Sequence, residues 1–409
     1  MTGIFVLACA SLSSRPESAT PSLATEAPPI PTATDFPSTN TLTDEEIING
    51  IQTSLDIMVQ AYADNNVDLL NEALDVENKA FSRFVKTRFT TQQESFYGGG
   101  IDLSYQVMSI TRREYDLILA HIAYNQAAQV DWVFRQLDDG HWVLTEPTVE
   151  QTGEKIIKET EFFKFHTYPW ADDVNAVVEQ LMQNARDRVE AKLGKVPTEK
   201  IEVEIIPTYG LYPFDNPNAL AYYSYEGAFN GEGDRMVIYA PNSFLFGWYM
   251  QDQGWEQDLE NVLTHEYTHM THARSFNYVG RLADWIVEGL AEYVDGVDRA
   301  YNVAEAMQTG SMIPLVDTRE NITYKQDLAH LNLLETDVSL AYAEAESLVT
   351  FIVEENGGFD AFWAFAQAYN DESGNLDKAL QSSLNMTQAE FEKAWESWLI
   401  SDYLPTYAP

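Results

Sequence analysis

Residues 260–275 read ENVLTHEYTHMTHARS and residues 284–296 read DWIVEGLAEYVDG, and together they decide the fold of the larger part of the chain. Only seven histidines occur in 409 residues, yet His265, His269 and His272 fall within eight positions. On an α-helix, residues four apart lie about 40° apart around the axis and about 6 Å along it. His265 and His269 therefore face one way and can share a tetrahedral cation. Imidazole ligands in that geometry suit zinc, whereas magnesium and calcium take oxygen shells. Glu266 sits about 100° round from His265. That is off the ligating stripe but placed to take a proton from a metal-bound water.

Two histidines leave zinc short of protein ligands, so a third is expected. With eighteen residues between it and His269 stands Glu288, in DWIVEGLAEYVDG. This HExxH-x18-E spacing resembles the gluzincin metallopeptidases, including the thermolysin-like, aminopeptidase N-like and peptidase-MA-like proteins. A metzincin would need glycine and histidine at positions 272 and 275, which here are His272 and Ser275. The gluzincin resemblance implies Glu288 as third zinc ligand, and Glu292 as a carboxylate that hydrogen-bonds the first histidine and fixes its tautomer. It also implies a Tyr or His beyond the third ligand that donates to the oxyanion. Tyr342, in AYAEAESLV, fits that place, with Tyr324 and His330 as competitors. His272, one turn past the ligand pair, reads as a buried or helix-end histidine. His121, His141 and His166 have no partner at ligand spacing. Gly227-Ala228-Phe229-Asn230 resembles the Gly-x-Met-Glu-Asn motif of the aminopeptidases but lacks the Glu that grips a free amino terminus, so exopeptidase specificity gains no support. Met236–Tyr239 reads as a strand, and as the edge that would pair with an extended substrate.

With 64 Asp and Glu against 24 Lys and Arg, the formal charge is −40. Such a chain is no nucleic-acid binder, because that binding depends on neutralising phosphates with cations. Apolar residues make up 45% and aromatics 12%, as in a folded protein. A lone cysteine, Cys9, excludes an intramolecular disulfide. It follows Val6-Leu7-Ala8 and precedes a Ser/Thr/Pro-rich run, which resembles the end of a bacterial lipoprotein signal. With no basic segment ahead of it and a short apolar run, this start reads as a truncated or misassigned signal end. The resemblance implies an extracytoplasmic chain, lipid-anchored through Cys9 at the bacterial surface or secreted.

The organisation follows as an α+β chain in three parts. Residues 1–42 are a signal remnant and disordered linker, too poor in apolar surface to fold. In 43–152, the Thr43/Glu46 capping box opens a helix and a second helical stretch covers 66–90. Period-two strands follow at 103–108, 115–124, 130–137 and 141–145, with Asp139-Gly140 as a hairpin turn. Helices followed by antiparallel strands resemble the small NTF2-like α+β fold. Residues 153–409 form a mainly helical zincin-type metallopeptidase domain with a small N-terminal sheet. Its helix over 171–193 stops at Gly194, strands cover 201–207 and 236–239, and helices follow at 265, 283–295, 339–355, 359–370 and 387–400. There is no internal repeat and no membrane span after the start. The resemblance implies a peptidase for peptide or protein substrates with Zn2+ as cofactor. Two alternatives stand beside it: a non-catalytic binding lipoprotein that keeps the fold, and a zinc hydrolase acting on a non-peptide bond.

Overall fold

The structure, a computed structural model, describes residues 42–95, 103–125, 128–211, 220–224, 235–244, 255–275, 282–313 and 335–404. Cys9 and its signal-like box, the linker up to residue 41, Gly227–Asn230, Tyr324 and His330 lie outside the described residues. The chain is α+β, with two small sheets and a largely helical carboxyl-terminal half. Among the described residues no helix is long and apolar enough to cross a membrane.

Helix α1 (Asp44–Ala63) starts where expected: the Thr43 amide donates to Glu46 at 2.7 Å and the Glu46 amide returns a bond to Thr43 Oγ1 at 3.3 Å. Its buried stripe of Ile47, Ile51, Leu55, Met58 and Tyr62 faces the first sheet. The single helical stretch expected over 66–90 is instead two helices, α2 (Val67–Ala73) and α3 (Lys79–Ser95). Asp75 breaks them apart. Its carboxylate accepts the backbone N–H groups of Glu77 and Asn78 at 3.2 and 3.4 Å, a local capping arrangement that competes with helix continuation. The same carboxylate takes Arg135 in a bidentate pair at 2.5 and 2.6 Å.

Strands β1 (Tyr105–Arg112), β2 (Ile118–Tyr124), β3 (Ala128–Gln136) and β4 (Trp142–Thr145) form an antiparallel sheet in sequence order. The β3–β4 turn holds Gly140 at φ +90°, the backbone conformation for which glycine is needed there. The strand expected from Tyr115 begins only at Ile118. Tyr115 and Asp116 sit in the left-handed region at φ 60° and 57°, in a tight turn that reverses the chain.

The second sheet is mixed, in the order β5 (Ile156–Glu159), β6 (Phe163–Thr167), β7 (Ile201–Ile206), β9 (Arg235–Tyr239), β8 (Ala221–Ser224). Helix α4 (Asp172–Leu193) crosses over between β6 and β7 and ends at Gly194 as expected, with φ 74°. The edge assignment does not hold. Met236–Tyr239 lies inside the sheet, parallel to β7 on one side and antiparallel to β8 on the other, and all five residues of β9 are buried. The edge is β8. Full burial on both faces makes a strand read as a continuous apolar run, so periodicity alone does not separate interior from edge.

Helices α5 (Trp255–Ser275), α6 (Asp284–Asp295), α7 (Ala300–Thr309), α8 (Glu335–Glu355), α9 (Gly358–Asp371), α10 (Leu376–Ser383) and α11 (Gln388–Trp398) complete the described chain. A second capping box, Thr387 with Glu390, opens α11. One contiguous core joins residues from Ile47 to Leu404. Helix α6 crosses α8 closely: a Cβ built on Gly289 would stand 2.3 Å from the Ala345 carbonyl oxygen. The offending atom is backbone, so the helices themselves would have to part. Gly289→Ala is expected to destabilise the chain by about 2 kcal/mol or more through overpacking. A urea-unfolding midpoint equal to that of the unaltered chain would show that the crossing is looser than described.

Candidate metal centre

Helix α5 presents the two histidines because its other face is committed to the core. Leu259, Leu263, Tyr267 and Met270 are buried, and Tyr267 meets the Phe163 ring of β6 edge-on at 6.2 Å. Asp258 in the first turn and Arg274 in the last complement the helix dipole. His265 and His269 then stand one turn apart with ring centroids 4.7 Å apart and planes at 83°.

Glu288 arrives from α6. Its Oε2 lies 3.3 Å from His265 Nε2 and 3.3 Å from His269 Nε2, and the two nitrogens are 3.0 Å apart. Tetrahedral bonds of about 2.0–2.1 Å set neighbouring ligand atoms about 3.3 Å apart. The three atoms thus make one face of a tetrahedron of that size. Hydrogen bonds alone account for the arrangement poorly: bonding both imidazoles to one carboxylate oxygen would place two N–H groups against each other. A cation at their focus satisfies all three. Burial raises the Glu288 carboxyl, but the facing imidazoles outweigh it and hold the group down at about 2.

The far side of His265 is also built. Its Nδ1 lies 3.2 Å from Glu292 Oε1, the contact expected from the sequence, and 3.6 Å from Asp295 Oδ2, which was not. A carboxylate at Nδ1 keeps the proton on that nitrogen and leaves Nε2 as a ligand lone pair. Arg299 closes the cluster, pairing with Glu292 and reaching both Asp295 oxygens at 3.1 and 3.0 Å. Arg188 on α4 adds a bond to the Asp295 carbonyl at 3.0 Å. Asp295 and Arg299 were missed, although the signal was present: 288, 292, 295 and 299 follow one another at helical spacing.

Glu266 is buried, and its Oε2 accepts the Tyr223 backbone N–H at 2.8 Å. That amide belongs to the edge strand β8, so the carboxylate is fixed against the rim of the sheet. Tyr342 is buried on α8, the helix that packs along α6. His272 stacks on Trp363 of α9 at 6.1 Å and 19° and is not among the converging ligand atoms, and burial with the charge of His269 lowers it to about 4. His121 and His141 pair with Asp131 and Asp139 at 2.7 and 3.1 Å, and His166 with Glu202.

No family model matches the chain, and no curated protein matches it in sequence. Among solved structures it is similar to an M1 zinc metallopeptidase from Deinococcus radiodurans at 14% identity and TM-score 0.28, over 73% of this chain and 61% of that one. A mutant two-domain M1 zinc metallopeptidase bound to L-arginine gives 14% identity and TM-score 0.29, over 73% and 60%. The chain thus spans about three-fifths of the length of these structures. Superpositions this loose transfer neither fold detail nor activity.

Behind Arg299 the network runs on to α8 and the carboxyl terminus, where Glu346 accepts the Tyr403 hydroxyl and the Thr350 hydroxyl at 3.0 Å. Burial pushes the Glu346 carboxyl up to about 7, against the pull of Tyr403, Thr350 and Arg299. The folded chain therefore holds this proton more tightly than the unfolded chain does. The stabilisation is complete below about pH 4.5 and is lost as pH rises through about 7. Glu346→Gln should flatten stability across that window, read from urea midpoints at pH 5 and pH 8. An unchanged pH slope in the variant would assign the dependence to other groups.

Proposed function

We propose that the chain is a zinc-dependent peptidase that hydrolyses peptide bonds. The supporting observation is the convergence of His265, His269 and Glu288, whose ligating atoms lie within 4.8 Å of one another, with Glu266 one residue along the same helix and outside the ligand set. A bound zinc would supply Lewis acidity toward water and the scissile carbonyl. His265, His269 and Glu288 would hold it, and Glu292 would orient His265.

The chain's own residues do the rest. Glu266 accepts a proton from the attacking water as the new C–O bond forms, then delivers it to the departing amine nitrogen as the C–N bond breaks. Its Tyr223 contact orients the carboxylate for both transfers. Tyr342 is proposed as the donor to the oxyanion that develops on the carbonyl oxygen. Because β8 is an edge of the described sheet and its Tyr223 amide reaches Glu266, an extended substrate pairing along β8 would lie beside the base. That edge takes the role expected of Met236–Tyr239.

The remaining assignments follow from the chain's layout. Three helices followed by a four-stranded antiparallel sheet support an NTF2-like accessory unit over 43–152. The Val6-Leu7-Ala8-Cys9 sequence supports a lipid anchor and an extracytoplasmic location. If the anchor is right, Cys9→Ser releases the full chain from membranes; unchanged membrane association rules it out.

Glu266 touches no ligating atom in this scheme, so Glu266→Gln should keep about one zinc per chain, as metal analysis would show. Cleavage of a diverse peptide library should fall by about 10²–10⁴, the usual worth of a general base. Equal cleavage by the two proteins would overturn the mechanism. Stoichiometric zinc surviving in a His269→Ala, Glu288→Ala chain would overturn the ligand set.

A further inference from the structure

With 64 acidic side chains for 24 Lys and Arg, each cation has ample choice of partner. Many of the described cations take one: Arg112 pairs with Asp44, Arg135 with Asp75, Lys158 with Glu179, Lys200 with Glu159. Lys79, Arg83 and Lys86 on α3 differ. Among the described residues none of the three forms an ion pair. Spaced four and three residues apart, they stand on one stripe of the helix, about 10 Å from first to last.

The stripe borders a groove of about 400 Å³ whose described lining is Val76, Lys79, Ser82, Arg83, Lys86, Thr87 and Thr90. Ser82 is 2% exposed, and its Oγ has no hydrogen-bond partner. A buried hydroxyl left unbonded is a cost that a ligand would relieve. The hydroxyls of Thr87 and Thr90 already donate to the carbonyls of Arg83 and Lys86, at 3.0 Å each. The donors left to a ligand are therefore Ser82 and the three cations.

We propose that this groove binds a phosphate-bearing ligand with at least two negative charges. A phosphate offers several acceptor oxygens to a hydroxyl and a guanidinium together, and a second charge reaches along the 10 Å row (about two helical turns) to the lysines. A long polyanion is disfavoured by the chain's net charge, whereas a small ligand senses the local cations. The phosphate could be a lipid headgroup or a free phosphate compound; both present the same chemistry.

The test uses the full chain at low ionic strength, titrated calorimetrically with inorganic pyrophosphate and, separately, mixed with phosphatidic acid vesicles in a flotation assay. The unaltered chain is compared with Lys79→Ala/Arg83→Ala/Lys86→Ala and with Ser82→Ala. All three keep His265, His269 and Glu288, so pyrophosphate taken up by a metal there cancels in the difference. Binding should weaken about a hundredfold in the triple variant and about tenfold in Ser82→Ala. The thermal midpoint of Ser82→Ala should not fall, because its hydroxyl makes no bond to lose. A response to pyrophosphate supports the site and assigns a free phosphate compound, whereas vesicle binding alone supports it and assigns a headgroup. Equal binding by all three proteins, or no binding of either probe by the unaltered chain, overturns the site.

Discussion

Three carboxylates buried on one face of one helix are the constraint around which the helical half is built. Glu288, Glu292 and Asp295 are at most 4% exposed, and charges so placed are tolerable only when paired. The compensation comes from two directions. His265 and His269 face Glu288 from α5, while Arg299, just past the end of α6, takes Glu292 and Asp295. Neither helix can slide along the other without parting a buried pair. The geometry at the ligating atoms is thus a by-product of charge balance as much as of apolar packing.

Close helix approach supplies the second half of the constraint. Gly289, next to Glu288, is where α8 touches α6 backbone to backbone. A side chain at that position would force α6 and α8 apart and disturb the helix that carries the carboxylate row. The run V-E-G-L therefore carries both the carboxylate that faces the histidines and the glycine that admits α8, with Ile286 and Leu290 buried on either side.

Much of this was legible in the sequence because it is local. Capping boxes, the i, i+4 histidine pair, the positive-φ glycines at 194 and 140 and the apolar helix stripes each depend on residues within a few positions of one another. What escaped is mostly non-local or masked by competing local chemistry. The division between α2 and α3 turns on Asp75, which looks like any helical acid until Arg135 arrives from β3, sixty residues on. The edge of the second sheet turns on β8, four residues whose pairing cannot be inferred from their own pattern. The all-exposed strand β5 gave no alternation to read. Arg299 carried a spacing signal, but its role needs the fold to bring Glu292 and Asp295 to it.

The junction between the two sheets has its own consequence. Glu146, at the end of β4, accepts the backbone N–H groups of Tyr209 and Phe244 at 2.9 and 3.0 Å and the Thr208 hydroxyl at 3.2 Å. Phe244, five residues past β9, puts its ring among Phe81, Phe84 and Trp132. The chain leaving the second sheet is thus anchored by a plug seated in the first. Amide hydrogen exchange at Tyr209 and Phe244 would then report on the integrity of the amino-terminal unit, though both residues belong to the other half. The amino-terminal unit therefore cannot be swapped for a spacer without leaving an aromatic ring and two backbone donors bare.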